Sequence, residues 1–313
     1  MPPREPASHT PEMLVRFWGV RGSVAVPGPH TVRYGGNTAC VEVRCGSDIV
    51  ILDAGTGLRE LGRELVRELA RRPVELPILI THTHWDHIQG LPFFAPAYLA
   101  RQPIKILGPP RARTGLMRTV AAAVESPFFP VALRDMPGNI TVRELSPAPF
   151  RIGPFSLRTA PLIHPGGGLA FRIDSPAGSL AYVPDHEIPC PEASVRGVAR
   201  GVRKRHAAMR DLIQGVDLLI HDAQYTPKEY ETRIGWGHSC YRATVLTAAE
   251  CEVRRLMLFH HDPDRTDLQM DVLLRQARRV AKPASATMTV EAAREGLTVL
   301  LRRQDSKTAT AAA

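Results

Sequence analysis

The most restrictive feature of this sequence is the segment "LPILITHTHWDHIQG", in which an apolar run passes directly into clustered histidine and aspartate. His82, His84, Asp86 and His87 fall within six positions. Because side chains two apart in an extended segment point the same way, His82 and His84 are expected to face one point. Asp86 and His87 follow where the chain begins to turn, so their side chains can face a second point, where another ion could bind. Imidazole and carboxylate suit zinc, and more oxygen donors also suit manganese or iron.

Other apolar runs in the chain end in the same residue types. If these runs are neighbouring strands, their polar tips gather along one sheet edge, where α/β proteins favour ligand sites. The residues at these strand ends are Asp53, His164, Asp185, His221 with Asp222, and His260 with His261.

Short apolar strands alternate with amphipathic helices, which predicts a layered α/β fold with antiparallel hairpins in its middle. The segment "GLRELGRELVRELARR" places Leu58, Leu61, Leu65, Val66 and Leu69 on one helical face. A second helical stripe is predicted in "TDLQMDVLLRQARRVA", formed by Leu268, Val272, Leu273 and Val280.

The chain's 313 residues suit one large domain, predicted over 13–302, with disordered tails at 1–12 and 303–313. No apolar run approaches the roughly 20 residues that span a bilayer, and the N-terminus lacks the apolar core of a signal peptide. A cytoplasmic protein without membrane contact is therefore expected. The five cysteines form no CxxC pair, and we interpret them as reduced thiols rather than ligands.

The net charge of +9, from 40 basic and 31 acidic residues, favours an anionic partner. Part of it lies in 190–211, which we interpret as an exposed loop and helix inserted between two core strands. Its role stays open between a solvated face and a flank that attracts anionic substrates. Its basic residues are Arg196, Arg200, Arg203, Lys204, Arg205 and Arg210.

The segment "THTHWDH" resembles the HxHxDH signature of the metallo-β-lactamase superfamily. Across about 14–301, the chain is similar to the ribonuclease Z and phosphoribosyl cyclic phosphodiesterase branch of that superfamily. The resemblance implies an αββα sandwich of two mixed β-sheets flanked by helices. The segments that carry it are "FWGVRGS", "YGGNTACVEV", "ILDAGTGLRELG", "THTHWDHIQGLPFF", "YVPDHE", "LLIHDAQY", "GWGHS" and "LMLFHHDP".

The same resemblance implies a site for two divalent metal ions, zinc or manganese. It also implies that Asp53 lies behind the metals and orients ligands without chelating. The choice of His260 over His261 stays open, since a slip of one residue flips the side chain to the other face. The implied ligands are His82, His84 and His164 for one ion, Asp86, His87 and His260 for the other, and Asp185 as a bridge.

His238 in "GWGHS" matches a histidine that faces the scissile phosphate in the ribonuclease Z branch. It would stabilise developing charge or protonate the leaving oxygen, and is expected to be catalytic together with Asp86. His221 and Asp222 are either hydrogen-bond partners of ligands or simple strand ends. Gly35, Gly36 and Asn37 are expected to form a tight turn, either near the site or purely structural.

The function implied is hydrolysis of a small, cyclic nucleotide or ribose phosphodiester through a metal-bridging hydroxide. One alternative is a ribonuclease Z-type tRNA 3′ endonuclease, which is less favoured because Trp85 replaces the family's usual glycine and no long glycine-rich arm is visible. Instead, the segment 108–139 is interpreted as a packed cap over the site. A lactonase or other acyl hydrolase is the second alternative, and a non-catalytic sensor the third. The resemblance also implies a homodimer.

Overall fold

The structure is a computed structural model that describes residues 11–70, 74–110, 114–191 and 200–303. Most of the predicted tails lies outside these ranges, as do the side chains of 192–203, which include Arg196, Arg200 and Arg203. The strands found in the described ranges are β1 (Glu12–Gly19), β2 (Cys40–Cys45), β3 (Asp48–Leu52), β4 (Leu76–Leu79), β5 (Pro103–Gly108), β6 (Asn139–Glu144), β7 (Phe150–Ile152), β8 (Phe155–Pro161), β9 (Leu169–Ser175), β10 (Gly178–Val183), β11 (Leu218–Asp222), β12 (Arg255–Phe259), β13 (Thr289–Ala292) and β14 (Thr298–Arg302).

The helices connect these strands and cover the outer faces of the sheets. Three short 3₁₀ turns, Leu91–Phe93, Ala95–Tyr98 and Leu133–Asp135, accompany them. The α-helices in the described part of the chain are α1 (Leu58–Leu69), α2 (Trp85–Ile88), α3 (Leu116–Ala123), α4 (Arg200–Ile213), α5 (Pro227–Tyr230), α6 (Tyr241–Glu250) and α7 (Asp267–Ala284).

The strands form two seven-stranded sheets, ordered β14-β1-β2-β3-β4-β5-β6 and β13-β12-β11-β10-β9-β8-β7. Each sheet is mixed. In the first, β3 to β6 are parallel, and in the second, β10 to β13 are parallel. The remaining pairs are antiparallel, including the predicted hairpins from β7 to β10. The carboxyl ends of the parallel strands therefore form one edge in each sheet.

Side chains alternate along the strands between the space shared by the sheets and the outer helices. In β3, Val50 and Leu52 face the second sheet, while Ile49 and Ile51 pack with α1. β12 repeats this arrangement, since Met257 and Phe259 face inward and Leu256 and Leu258 pack toward α6 and α7. Burial on both faces explains the continuous apolar runs of these parallel strands.

This order of helix, sheet, sheet and helix confirms the predicted αββα sandwich. The α1 stripe is confirmed by burial of Leu58, Leu61, Leu65 and Leu69, whereas Val66 is half-buried. Three strands, β7, β13 and β14, were not anticipated. They are short, and all three lie at outer edges of the sheets, β14 in the first and β13 and β7 in the second.

The stripe predicted for α7 is half right, since Leu273 is buried and Val280 packs against the core while the other two residues are exposed. Leu268 is 74% exposed and Val272 is 44% exposed, while the buried face runs through Met270, Leu273 and Ala277. A capping box between Thr266 and Gln269 fixes where the helix begins. Two small residues on the buried face, Ala277 and Ala281, leave room for the helix to pack on the sheet. Tertiary packing therefore decides which face is buried, and the larger Leu268 and Val272 face solvent.

Two further expectations concern segments outside the sheets. The insertion at 190–211 does contain a helix, α4, between β10 and β11, with Lys204, Arg205 and Arg210 exposed and Met209 buried. Arg210 pairs with Glu250, which accords with a solvated face. None of the helices in the described ranges is long and apolar enough to cross a membrane.

Candidate metal centre

The residues predicted at strand ends converge at the edge where the parallel strands of both sheets end. Asp53 directly follows β3, and the segment 82–87 follows β4 and enters α2. From the second sheet, Asp185 follows β10 and His260 follows β12. The structure therefore brings these polar residues to one place, the edge at which α/β folds favour ligand sites.

The first cluster consists of His82, His84 and His164. One ring nitrogen of each lies within 4.8 Å of those of the others. Their ring centroids are 4.4 to 4.8 Å apart. His84 has extended backbone dihedrals, so its ring and that of His82 turn to the same side.

The second cluster consists of Asp86, His87, Asp185 and His260, all buried. Nε2 of His87 lies 3.2 Å from Asp86 Oδ2 and 3.1 Å from Asp185 Oδ1. Nε2 of His260 lies 3.1 Å and 3.3 Å from the same two oxygens. The structure thus brings together all seven residues proposed as ligands, in the two groups that were predicted.

Asp185 lies between the clusters. Its Oδ1 faces His87 and His260 of the second cluster, and its Oδ2 lies 3.7 Å from Nε2 of both His82 and His164. The side chain is 1% exposed. A buried carboxylate with one oxygen toward each group of histidines has the geometry of a bridging ligand.

The chemistry of these donors fits metal ions. Among the described residues, His82 Nε2, His87 Nε2 and Asp185 Oδ1 are buried and have no partner with hydrogen-bond geometry, although opposite charges lie nearby. Buried polar atoms are rarely left unsatisfied. Such a group of buried donor atoms without hydrogen-bond partners, gathered within a few ångströms of one another, suits the binding of an ion.

The charge states of His82, His164 and Asp185 suit cations. Burial lowers the pKa of His82 well below its usual value and that of His164 to about 4, which leaves both as neutral imidazoles. Burial disfavours the charged form of Asp185, yet His260 and His87 hold the pKa of this carboxyl well below its usual range. Neutral histidine and ionised carboxylate are the forms that bind divalent metals.

His87 differs from the other two histidines in its charge state. Burial opposes the charged form, but the carboxylates of Asp86, Asp185 and Asp53 outweigh it and raise the pKa of His87 well above its usual value. This ring would therefore release a proton on binding an ion.

Asp53 lies behind the second cluster, as its resemblance to the superfamily's aspartate implied. It is fully buried and accepts hydrogen bonds from the backbone N–H and hydroxyl of Thr81 and from the hydroxyl of Tyr182. Its Oδ2 lies 2.8 Å from Nδ1 of His87. Asp53 therefore orients His87, one of the predicted ligands, through the ring nitrogen that does not face the cluster.

The backbone at the end of β12 decides between two adjacent histidines. His260 adopts a left-handed φ of 57°, which directs its ring into the second cluster. The ring of His261 points elsewhere, with Nε2 2.7 Å from the carbonyl of Ala293 and its edge against Tyr34. A non-glycine residue in this conformation is uncommon and is typical of functional sites.

The segment "RGS" supports the second cluster and was not given a role from sequence. A Cβ on Gly22 would lie 2.3 Å from Cε1 of His260, so only glycine fits against this ring. The backbone N–H of Ser23 donates to Asp86 Oδ2 at 2.7 Å. The close approach of this loop depends on the fold and leaves no local signal in the sequence.

His238 lies three residues before the first residue of α6 and two before its N-cap, Cys240. Its Nδ1 is 2.7 Å from Asp222 Oδ2, and its ring stacks on that of His260 at 4.9 Å. Burial opposes the charged form, but the Asp222 carboxylate outweighs it and raises the pKa of His238 to about 9. The sequence left two roles open for Asp222, hydrogen-bond partner of a ligand or simple strand end. In the structure it is a hydrogen-bond partner, but of His238 and not of one of the seven predicted ligands.

His238 also lies close enough to the first cluster to serve as a ligand. One of its ring nitrogens is within 4.8 Å of donor atoms of His164 and Asp185. Geometry therefore allows two roles for this ring, proton donor or ligand. Measured metal content of a His238 variant separates the two.

Glu187 is a site residue that sequence reasoning missed. Its carboxylate accepts from the Tyr230 hydroxyl at 2.8 Å and from the backbone N–H groups of Gly235 and Gly237. The carbonyl of Gly237 in turn lies 3.0 Å from Nδ1 of His164. One buried carboxylate thus holds the loop that orients a ligand and carries His238. Glu187 lies in "PDHE", two residues after Asp185, but its partners are more than 40 residues away in sequence, so no local signal marks its role.

The predicted turn at 35–37 and His221 both have structural roles. Gly35 has a φ of 100°, and Asn37 donates to Glu295 from its backbone and its side chain, so the predicted turn anchors a neighbouring loop. His221 directs Nδ1 to the carbonyl of Asp222 and has its ring near His186, away from both clusters.

A cavity of about 510 Å³ opens over the clusters. Its lining includes Asp185, His238 and His260 together with Trp85, which is 56% exposed. The segment interpreted as a cap meets the site through Phe128, whose ring centroid is 6.4 Å from that of Trp85. A substrate can therefore reach the clusters from solvent past an aromatic wall.

Comparison with known proteins agrees with this site. The family model described as "Beta-lactamase superfamily domain" matches residues 49–261. A ribonuclease Z of Myxococcus xanthus strain DK1622 is 26% identical over 320 residues, covering 93% of this chain and 99% of the relative.

Solved structures show the same fold. The metallo-beta-lactamase fold protein YhfI of Bacillus subtilis superposes with a TM-score of 0.64 at 17% identity, covering 92% of this chain and 99% of that one. The short form of human tRNase Z superposes with a TM-score of 0.58 at 21% identity, covering 91% and 98%. The chain belongs to the beta-lactamase superfamily and is a metal-dependent hydrolase.

Proposed function

We propose that this protein hydrolyses phosphodiesters with two divalent ions, zinc or manganese. The observation that carries the proposal is the placement of Asp185, which presents one oxygen to each of two clusters. The ions would be held by the first cluster and by Asp86, His87 and His260, with Asp185 shared. The ligand set has histidines and aspartates and no thiolate, which favours a phosphodiesterase over a β-lactamase type of site.

When bound, two such ions neutralise charge on a phosphoryl group and supply a nucleophilic water at neutral pH. The residues around them supply the remaining chemistry. Asp86 is fixed by the N–H of Ser23, so its carboxylate keeps one orientation beside His260. His238 lines the cavity and carries a proton that Asp222 stabilises, which suits donation to a leaving oxygen.

The preferred substrate is a small, cyclic nucleotide or ribose phosphodiester. The cavity of about 510 Å³ is of a size that accepts such a molecule. The exposed indole of Trp85 occupies part of the entrance, which favours a compact substrate.

A ribonuclease Z-type tRNA 3′ endonuclease is the second candidate. The specific observation in its favour is similarity over nearly the full length of a protein named ribonuclease Z. The net charge of +9 suits a polyanionic substrate as well. A lactonase or acyl hydrolase would use the same clusters and is kept as a third outcome of the test.

The test is a hydrolysis screen with protein of measured zinc and manganese content. The substrates are bis-p-nitrophenyl phosphate, cyclic mononucleotides, cyclic dinucleotides, ribose cyclic phosphates, a precursor tRNA with a 3′ trailer, and a lactone. Turnover of the cyclic phosphates supports the proposal, and trimming of the trailer alone supports the second candidate. Lactone cleavage without phosphodiester cleavage would overturn both. Light scattering on the same samples checks the expected homodimer.

A further inference from the structure

Trp85 is an exposed indole in the middle of the metal-binding segment. It is the first residue of α2, between His84 and Asp86, and the other three residues of this helix are buried. The indole itself is 56% exposed and lines the cavity above the clusters. A single exposed apolar side chain is ordinary on a protein surface, but this one lies at the lining of the cavity beside the proposed ligands, where a bound molecule would meet it.

A second aromatic ring extends this surface. Phe128 is 72% exposed, and its ring meets the Trp85 ring edge-to-face, with centroids 6.4 Å apart and planes at 75°. Because the rings are nearly perpendicular, they do not cover each other and form a corner open to solvent. We name the pair formed by Trp85 and Phe128 the aromatic corner.

The rest of the cavity is lined by polar and charged side chains. Asp86, Asp185, His238 and His260 line it, and these are the groups that would hold metal ions and a phosphate. A matching molecule therefore carries an anionic group at one end and a flat apolar group close to it. Nucleotides have this arrangement, since one ribose separates the phosphate from the base.

We propose that the aromatic corner stacks the nucleobase next to the scissile phosphate, with Trp85 as the specificity-determining residue. The inference rests on the proposed phosphodiesterase function and names its substrate class as base-bearing nucleotides. Stacking of a base on an aromatic side chain is sequence-tolerant because every base has a π face. The corner would therefore select for a base without selecting which one.

Trp236 offers a matched control. It is 58% exposed, about as much as Trp85, but it lies in the loop before His238 with the Arg233 guanidinium 6.0 Å from its ring. Substituting Trp236 removes an equal amount of exposed indole without touching the aromatic corner.

The experiment compares adenosine 2′,3′-cyclic phosphate with methyl ribofuranoside 2,3-cyclic phosphate, which lacks the base. For Trp85→Ala, the ratio of kcat/KM between these substrates is expected to fall about 5- to 150-fold, the range of base–aromatic stacking. Trp85→Phe should restore most of the ratio, and Trp236→Phe should not change it. An equal loss on both substrates would overturn the proposal.

A binding measurement keeps the inference separate from turnover. The chain has three tryptophans, Trp18, Trp85 and Trp236, so adenosine 5′-monophosphate stacked on the corner should quench fluorescence in the parent protein but not in Trp85→Phe. Absence of quenching would overturn base stacking even if phosphodiesters are cleaved. Quenching without cleavage of any phosphodiester would instead overturn the proposed function. If Trp85→Ala slows cleavage of precursor tRNA but not of the cyclic nucleotide, the substrate with the stacked base is an RNA end, and the small-nucleotide assignment is wrong.

Discussion

Oδ2 of Asp222 lies 2.7 Å from Nδ1 of His238, and both side chains are buried beside the two clusters. Asp222 also accepts from the backbone N–H groups of Gln224 and Ser239, so its carboxylate is held in place. A fixed carboxylate selects one orientation and one protonation state of the imidazole. In the proposed function, this pair would act as a unit that presents a proton to the cavity.

Asp222→Asn is expected to lower turnover as much as His238→Ala, by the roughly 10²- to 10⁴-fold that lost acid–base help costs. Because the two residues act together, the double variant should be no slower than either single one. Steady-state kinetics check the rates, and plasma emission spectroscopy checks that metal content is unchanged. Loss of metal from His238→Ala would show that this ring is a ligand instead.

The adjacent histidines at the end of β12 give a second test. His260→Ala should remove a ligand and lower the metal content of the purified protein, with activity falling alongside it. His261→Ala should lower the melting temperature, since its hydrogen bond to Ala293 is buried, yet leave the metal content per folded chain unchanged. The reverse result would place His261 at the second cluster.

Much of this site could be predicted from sequence because its ligands follow apolar strands of regular period. His82, His84 and Asp185 are of this kind, and each lies where the strand pattern puts it. The strand pattern alone could not choose His260 over His261, since the φ of 57° at His260 breaks the alternation that the pattern assumes; the preference for His260 came from the family resemblance. Glu187 could not be found because its partners in 230–237 are brought to it only by tertiary folding.

Asp53 should control metal affinity without touching a metal. Every group that it contacts is a donor, including Thr81, Tyr182 and His87, so an amide in its place would oppose one of them. Asp53→Asn is expected to weaken metal binding about 10- to 100-fold, as loss of such outer partners does. Competition with a chromogenic chelator measures this affinity. Tyr182→Phe removes one donor and keeps the carboxylate, so its effect should be smaller.

Gly22 is expected to tolerate no side chain. A Cβ there would overlap the ring of His260, so Gly22→Ala should displace that ring and reduce metal content. Gly46→Ala is the control, because its Cβ meets nothing within 4 Å and costs only the strain of a φ of 62°. The control should lower the melting temperature while metal content stays full. Equal metal content in both variants would contradict this role for Gly22.

Glu187 holds the loop that carries His238, and its removal should separate positioning from ligation. All three of its partners donate, so Glu187→Gln places an amide N–H against Tyr230, Gly235 or Gly237 and loosens the loop. A shift of about 1 Å at a catalytic group can cost roughly 10²-fold, so kcat should fall by up to that factor.

The proposed ligands Asp185 and His260 make no hydrogen bond with Glu187, so the second ion should remain bound in Glu187→Gln. Tyr230→Phe removes only one of the three donors and should reduce kcat less. If Glu187→Gln instead lowers the melting temperature without changing kcat, the carboxylate only stabilises the fold. A loss of kcat with unchanged KM and a retained second ion is the result that marks Glu187 as a residue that positions His238.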